Sequence, residues 1–193
     1  MAATNKDWPR GFWPAKTKHG GPPQVSRYYT SADDTLYRGD LVIISSTATQ
    51  GNVRRLGGNT DGDLIIGVCQ TFTTYGSGGA SDGAAGAEVM VYDDLENTIF
   101  IAQCNSSATT ALTTFASLKP WSFWGVATGT PTTASEISTM EIATSATLAD
   151  GFIRILDRVQ EPSNLYGEGY LDVYCMITKQ HFSRTMSTLA VTS

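Results

Sequence analysis

Tyr37-Arg38-Gly39-Asp40-Leu41-Val42-Ile43-Ile44 and, after a turn-rich segment, Gly62-Asp63-Leu64-Ile65-Ile66-Gly67-Val68-Cys69 are the two stretches that decide the fold. In each, a Gly-Asp pair launches an apolar run too short for a helix and rich in β-branched residues. Runs of four to eight such residues bounded by Gly, Asp and Asn read as strands buried on both faces. Joined through a Gly/Asn-rich connection, the block 37–69 is a nucleus to which further strands add.

Working outward, short strands are expected at about 41–46, 52–56 and 63–72, with Tyr28-Tyr29-Thr30 a further short strand and 31–35 a turn or one helical turn. Ala87–Tyr92 and Thr98–Ala102, separated by Asp93-Asp94-Leu95-Glu96-Asn97, read as a hairpin. Ser122–Ala127 and Glu136–Ile142 flank the turn Gly129-Thr130-Pro131, and Thr109–Leu118 leaves room for a short helix. Phe152–Val159 precedes a final strand over Tyr170–Thr178. There Leu171, Val173, Cys175 and Ile177 alternate with Tyr170, Asp172, Tyr174 and Met176, so one face is core. Many short strands with turns between them predict an all-β fold, a small antiparallel β-barrel or β-sandwich.

Residues 1–27 differ from the rest. Trp8-Pro9-Arg10-Gly11-Phe12-Trp13-Pro14 sets three large aromatics among prolines, and Gly20-Gly21-Pro22-Pro23 follows. Proline removes donors and disfavours helix before it, so an extended, irregular N-terminal arm is expected over 1–27. A β-rich domain is expected over 28–182 and a polar tail over 183–193. Each aromatic ring can bury ~150–250 Å², so Trp8, Phe12 and Trp13 must dock on this domain or on a neighbour.

Composition narrows the function. The 193 residues suffice for one domain with a real core. Only 16% are charged, which leaves faces suited to packing against other protein. Acidic residues outnumber basic ones 18 to 13, and the basic ones are scattered, so nucleic acid is not an expected partner. The N-terminal residues lack an apolar core of signal-peptide length and no run reaches a membrane span. Cytoplasmic synthesis without membrane association is therefore expected. Cys69, Cys104 and Cys175 are widely spaced in apolar contexts and read as reduced, buried thiols.

The chemical motifs read as architecture. Arg38-Gly39-Asp40 spells an adhesion tripeptide but runs straight into a buried strand, where Gly39-Asp40 makes a turn. Tyr92-Asp93-Asp94 lacks the further carboxylate of a two-metal site and reads as a hairpin tip. Asn59–Asp63 spaces oxygens as calcium loops do but lacks the closing Glu. Gly76-Ser77-Gly78-Gly79 lacks the Lys-Ser/Thr of a phosphate loop, and Asn105-Ser106-Ser107 is a sequon without a secretion signal. His19 and His181 stand beside no nucleophile motif, and Cys175 with His181 lacks two further ligands. No catalytic residue, cofactor site or metal site is expected, and the chain is not expected to be an enzyme.

Several fragments together fit one pattern. They are Gly11-Phe12-Trp13-Pro14, Leu36–Val42, Ile66-Gly67-Val68, and Val89–Asp94 with Phe100. Arg154-Ile155-Leu156 with Val159, Pro162 and Asn164, and Ile177 with His181-Phe182, complete it. Over roughly 11–182 the chain resembles the capsid decoration (cement) proteins of tailed bacteriophages, departing from them in its Thr/Ala-rich stretch 106–149. The resemblance implies a β-rich core with an N-terminal arm, no catalysis, and a place on the outer surface of the virion. The implied partners are the major capsid protein and the chain itself, as a trimer in preference to a dimer. Trp8, Phe12, Trp13 and Pro14 are then the expected capsid- or subunit-contact residues. The alternative is a head-fibre or receptor module holding glycans on loops 73–87 and 105–120, near Tyr75, Trp121 and Trp124.

Overall fold

A computed structural model describes residues 5–30, 34–45, 52–58, 64–74, 86–105, 117, 123–148, 151–167 and 169–178. The chain is all-β, as expected, and its two main sheets are antiparallel. One sheet holds β1 (Trp13–Thr17), β9 (Thr98–Gln103), β13 (Asp172–Ile177), β12 (Ile153–Arg158), β10 (Phe123–Ala127) and β11 (Glu141–Leu148), in that spatial order. The other holds β2 (Val25–Tyr29), β8 (Glu88–Tyr92), β6 (Ile65–Cys69), β4 (Leu41–Ile44) and β5 (Val53–Arg55). A two-stranded ribbon, β3 (Thr35–Leu36) with β7 (Thr73–Thr74), completes the elements among the described residues. Among the described residues the packing is that of a sandwich, and no barrel closes.

The main core lies between the sheets. Leu41, Ile43, Ile65 and Val68 meet Phe100, Trp124, Ile142, Ile153, Ile155, Val173 and Cys175 there. A second, smaller core lies on the far side of β4 and β6, where Val42, Ile66, Cys69, Val89 and Val91 gather with Leu36 of the ribbon. This explains the unbroken apolar runs of the block 37–69: β4 and β6 are covered on both faces. Val42 pairs with Gly67 but Ile43 with Ile65, so Ile66 is an extra residue in β6. That bulge puts Ile65 and Val68, three apart, in the same core.

The final strand behaves as its alternation predicts, with Leu171, Val173, Cys175 and Ile177 buried and Tyr170, Asp172, Tyr174 and Met176 half-buried. All three cysteines are buried free thiols.

The expected hairpin of 87–92 with 98–102 is not one. Both strands form, but β8 pairs with β2 and β6 while β9 pairs with β1 and β13, in the opposite sheet. The connection 93–97 is therefore an arch over the end of the sandwich. Leu95, at its crest, is driven into the core at 2% exposure. The Asn97 side chain donates to the Asp94 carboxylate and Thr98 N donates to Asp94 O, which tightens the arch. The strand expected at 136–142 starts later, at Glu141, and runs to Leu148.

The segment expected to be an irregular arm is irregular over 5–12 but from Trp13 onward is built into both sheets. β1 adds to the edge of one sheet through β9, and β2 adds to the edge of the other through β8. The exposed turn 18–24 crosses between the sheets beside the 93–97 arch, held by Lys18 N donating to Asn97 O. Residues 13–29 thus supply both edge strands on one flank of the sandwich. Extended proline-containing chain suits an edge, where an absent N–H costs no ladder bond. Pro14 sits there, opposite Phe100, with a register shift between Pro14 and Lys16.

Candidate functional site

Ahead of β1, residues 5–12 form a strap across the end of the sheet near β9 and β13. Amide side chains hold it. The Asn5 amide donates to Leu165 O and Gly169 O at 2.9 and 2.7 Å, and Asn5 Oδ1 accepts from Leu165 N at 2.8 Å. Gln103, the last residue of β9, donates to Lys6 O at 3.0 Å and accepts from Trp8 N at 2.9 Å. Each amide presents a donor and an acceptor as a neighbouring strand would, which suits a segment whose prolines prevent a regular ladder.

Farther along, the Arg10 guanidinium donates to the Asp172 carboxylate at 2.8 Å, with the Arg10 side chain about half exposed. A pair this open contributes little by itself. Gly11, at φ +72°, then turns the chain inward. Phe12 N donates to Gly39 O at 2.9 Å, and the Phe12 ring enters the main core at 1% exposure.

The loop that receives the strap is itself fixed. Asn164, nearly buried, donates to Val159 O and Asp172 O and accepts from Asp172 N. Tyr170 follows Gly169 and has φ +42°, a left-handed conformation that non-glycine residues seldom hold without a purpose.

Between its two anchorages the strap turns Trp8 outward, 65% exposed, with Lys6 Nζ 4.7 Å from the ring centroid. Trp13 is 37% exposed, and its indole N–H donates to Arg10 O at 2.6 Å. Of the expected contact residues, then, the structure leaves Trp8 and Trp13 on the outer surface and Pro14 half-buried. Phe12 is a correction. The left-handed turn at Gly11 sends its ring into this domain's own core, out of a partner's reach.

The strap rests on a carboxylate-rich surface. Burial, with the nearby Asp7 carboxylate, raises Glu141 from the ordinary 4.5 to about 7. Asp172 is also raised, chiefly by burial, although Arg10 works against the shift. The Asp7 carboxylate, which Tyr170 hydrogen-bonds, pushes the Tyr170 hydroxyl up. A recess of about 170 Å³ opens here, with Trp8, Gln103, Glu161, Tyr170 and Asp172 in its wall.

The other motifs are built into the fold. Asp40 N donates to Tyr37 O at 3.0 Å and Gly39 has φ +89°, the geometry of a turn with glycine at its third position. The Asp40 carboxylate is fully buried and accepts from Tyr37 N, Ser138 Oγ and Arg55 Nε at 2.9, 2.6 and 3.1 Å. It is raised, because burial outweighs Arg55. The Arg38-Gly39-Asp40 tripeptide therefore offers no carboxylate to a receptor. Asp93 accepts from Tyr28 Oη at 3.1 Å and Asn105 Oδ1 accepts from Thr144 N at 3.0 Å. Asn59–Asp63, Gly76–Gly79, Tyr75, Trp121 and His181 lie outside the described residues. Among the described residues, no three His, Cys, Asp or Glu side chains come together as metal ligands.

Asn5, Gln103, Asn164 and Asp172 carry the strap, and sequence reasoning gives none of the four that role. Their partners lie up to 164 positions away, a distance that leaves no periodicity to read. The chain matches no protein-family model, no curated protein and no solved structure.

Proposed function

We propose that this chain is a structural virion protein, a capsid decoration (cement) protein. It binds the outside of a tailed-phage head, stabilises the lattice of the major capsid protein, and has no catalytic role. The observation that carries this reading is the pair of exposed tryptophans on a strap anchored to both sides of Trp8. Interface energy concentrates in a few aromatic anchors, and an anchor already held in place loses little entropy on binding. The low charge of the chain and its sandwich with woven-in edge strands support a protein that is carried on a surface.

The lattice partner is the major capsid protein, and the chain associates with itself, as a trimer in preference to a dimer. Several copies joined in one oligomer multiply a modest contact through effective concentration. A cryo-EM map of the particle tests the reading. Density for the sandwich is expected on the outer shell at a fixed ratio to capsid subunits, with the strap facing a protein neighbour. A particle whose outer shell lacks it overturns the reading.

A further inference from the structure

The recess beside Trp8 has a character separate from the strap's role as an anchor. Its volume of about 170 Å³ lies below the roughly 300–1,000 Å³ of most small-molecule sites, so it holds one ring. Two aromatics, Trp8 and Tyr170, contribute to its wall beside the carboxylates of Glu161 and Asp172 and the amide of Gln103. Aromatic faces attract the slightly positive C–H face of a sugar ring. Gln103 and Asp172 already hold the strap, so the Glu161 carboxylate is the acceptor that a pair of vicinal hydroxyls would meet.

Strain gives a second, independent sign. Tyr170 is held at φ +42° between Gly169 and the start of β13, and such outliers gather where a ligand is clamped.

Charge decides which sugar. Among the lining residues, the carboxylates of Glu161 and Asp172 stand against the two cations Lys6 and Arg10. With Asp172 paired to Arg10 and Lys6 turned to the Trp8 ring, a carboxylated sugar would meet the Glu161 carboxylate, whereas a neutral one would not be repelled.

We propose that this recess binds a single neutral pyranose unit, a hexose or N-acetylhexosamine, of a glycan chain. Its described lining residues lie outside 73–87 and 105–120, and the proposal does not rest on decoration of a capsid.

The test titrates the full-length chain, free of any particle. The probes are the methyl glycosides of glucose, galactose and N-acetylglucosamine, with glucuronic and sialic acids as acidic counterparts, followed by the indole N–H signals in NMR. One neutral sugar is expected to shift one indole signal saturably, with a Kd of roughly millimolar for about a dozen heavy atoms. The acids should bind at least about tenfold more weakly, since a like-charge penalty of about 1.4 kcal/mol is a factor of ten. Trp8→Ala, which removes the reporting indole, should also abolish the saturation-transfer signal of the sugar itself, without lowering Tm, because the ring is mostly solvated. Glu161→Gln should weaken neutral-sugar binding severalfold and narrow the gap to the acids. No saturable shift with any neutral sugar, undiminished binding by Trp8→Ala, or a preference for the acids overturns the proposal. Because no capsid is present, failure here is distinguishable from failure of the decoration reading.

Discussion

Gly11 and Gly39 meet backbone to backbone, and their contact joins the strap to the turn that launches β4. Phe12 N donates to Gly39 O at 2.9 Å, and Gly39 N donates to Cys69 O at 2.8 Å. The strap, the turn at 37–40 and the end of β6 are thereby stitched in one line. A Cβ on Gly11 would strike Gly39 O and Ser138 Cβ, and one on Gly39 would lie 2.7 Å from Arg10 O. Both residues have positive φ, which L side chains rarely adopt. Gly11→Ala is therefore expected to lose about 2–4 kcal/mol, read from the denaturation midpoint. A midpoint within experimental error of the wild type would contradict the junction.

Phe12 and Trp8 are separated by four positions and by opposite roles. Phe12→Ala should cost about 3–5 kcal/mol, the usual loss for a buried phenylalanine. Trp8→Ala should leave Tm nearly unchanged. Thermal scans of the two variants side by side check the division between the strap's structural anchor and its surface aromatic. Equal Tm losses would show that it is wrong.

Asp40 carries three hydrogen bonds in a fully buried setting, one of them from Arg55. Asp40→Ala leaves the partly buried Arg55 and the Ser138 hydroxyl without their acceptor and should destabilise by about 3–5 kcal/mol. The motif Arg38-Gly39-Asp40 should also fail to support integrin-mediated cell attachment in a plate assay. Attachment that Asp40→Glu abolishes in a folded protein would contradict the structural reading of the tripeptide.

Glu141 sets a pH dependence with a definite sign. Its carboxyl is raised to about 7 by burial and by Asp7, so the folded chain holds this proton more tightly than the unfolded chain does. The contribution is fully present below about pH 4.5 and is lost as pH rises through 7. Glu141→Gln should raise Tm at pH 8 and leave it unchanged near pH 4.5, as scans at the two pH values would show. A gain equal at both values, or one confined to low pH, would contradict the assignment.

The sequence made the apolar runs legible because burial on both faces leaves a continuous signature, as in β4 and β6. Alternation did the same for β13, where one face is core. The 93–97 connection misled because five residues rich in Asp and Asn suit a hairpin and an arch equally. What decides is where Leu95 goes, and that depends on a core assembled from distant strands. The strap was legible as extended and aromatic. Its path was not, since the amides of Asn5 and Gln103 act only on partners that folding brings to them. The exposure of Trp8 and the burial of Phe12 follow from one left-handed glycine between them. No composition or periodicity encodes that turn.

The strap's integration also sets how the central claim is tested. Removing residues 1–27 would strip Phe12, the edge strand β1 and most of the edge strand β2 from the sandwich, so lost binding would report lost folding. The direct measurement uses the Trp8→Ala/Trp13→Ala double variant. It is titrated against purified, undecorated tailed-phage heads, and copies per head are counted after sedimentation at each concentration. The wild type should bind at a fixed ratio, and the folded double variant at least about tenfold more weakly, as expected for loss of aromatic hot spots. Wild-type protein that fails to sediment with the heads, or a double variant that decorates them equally well, would contradict the account.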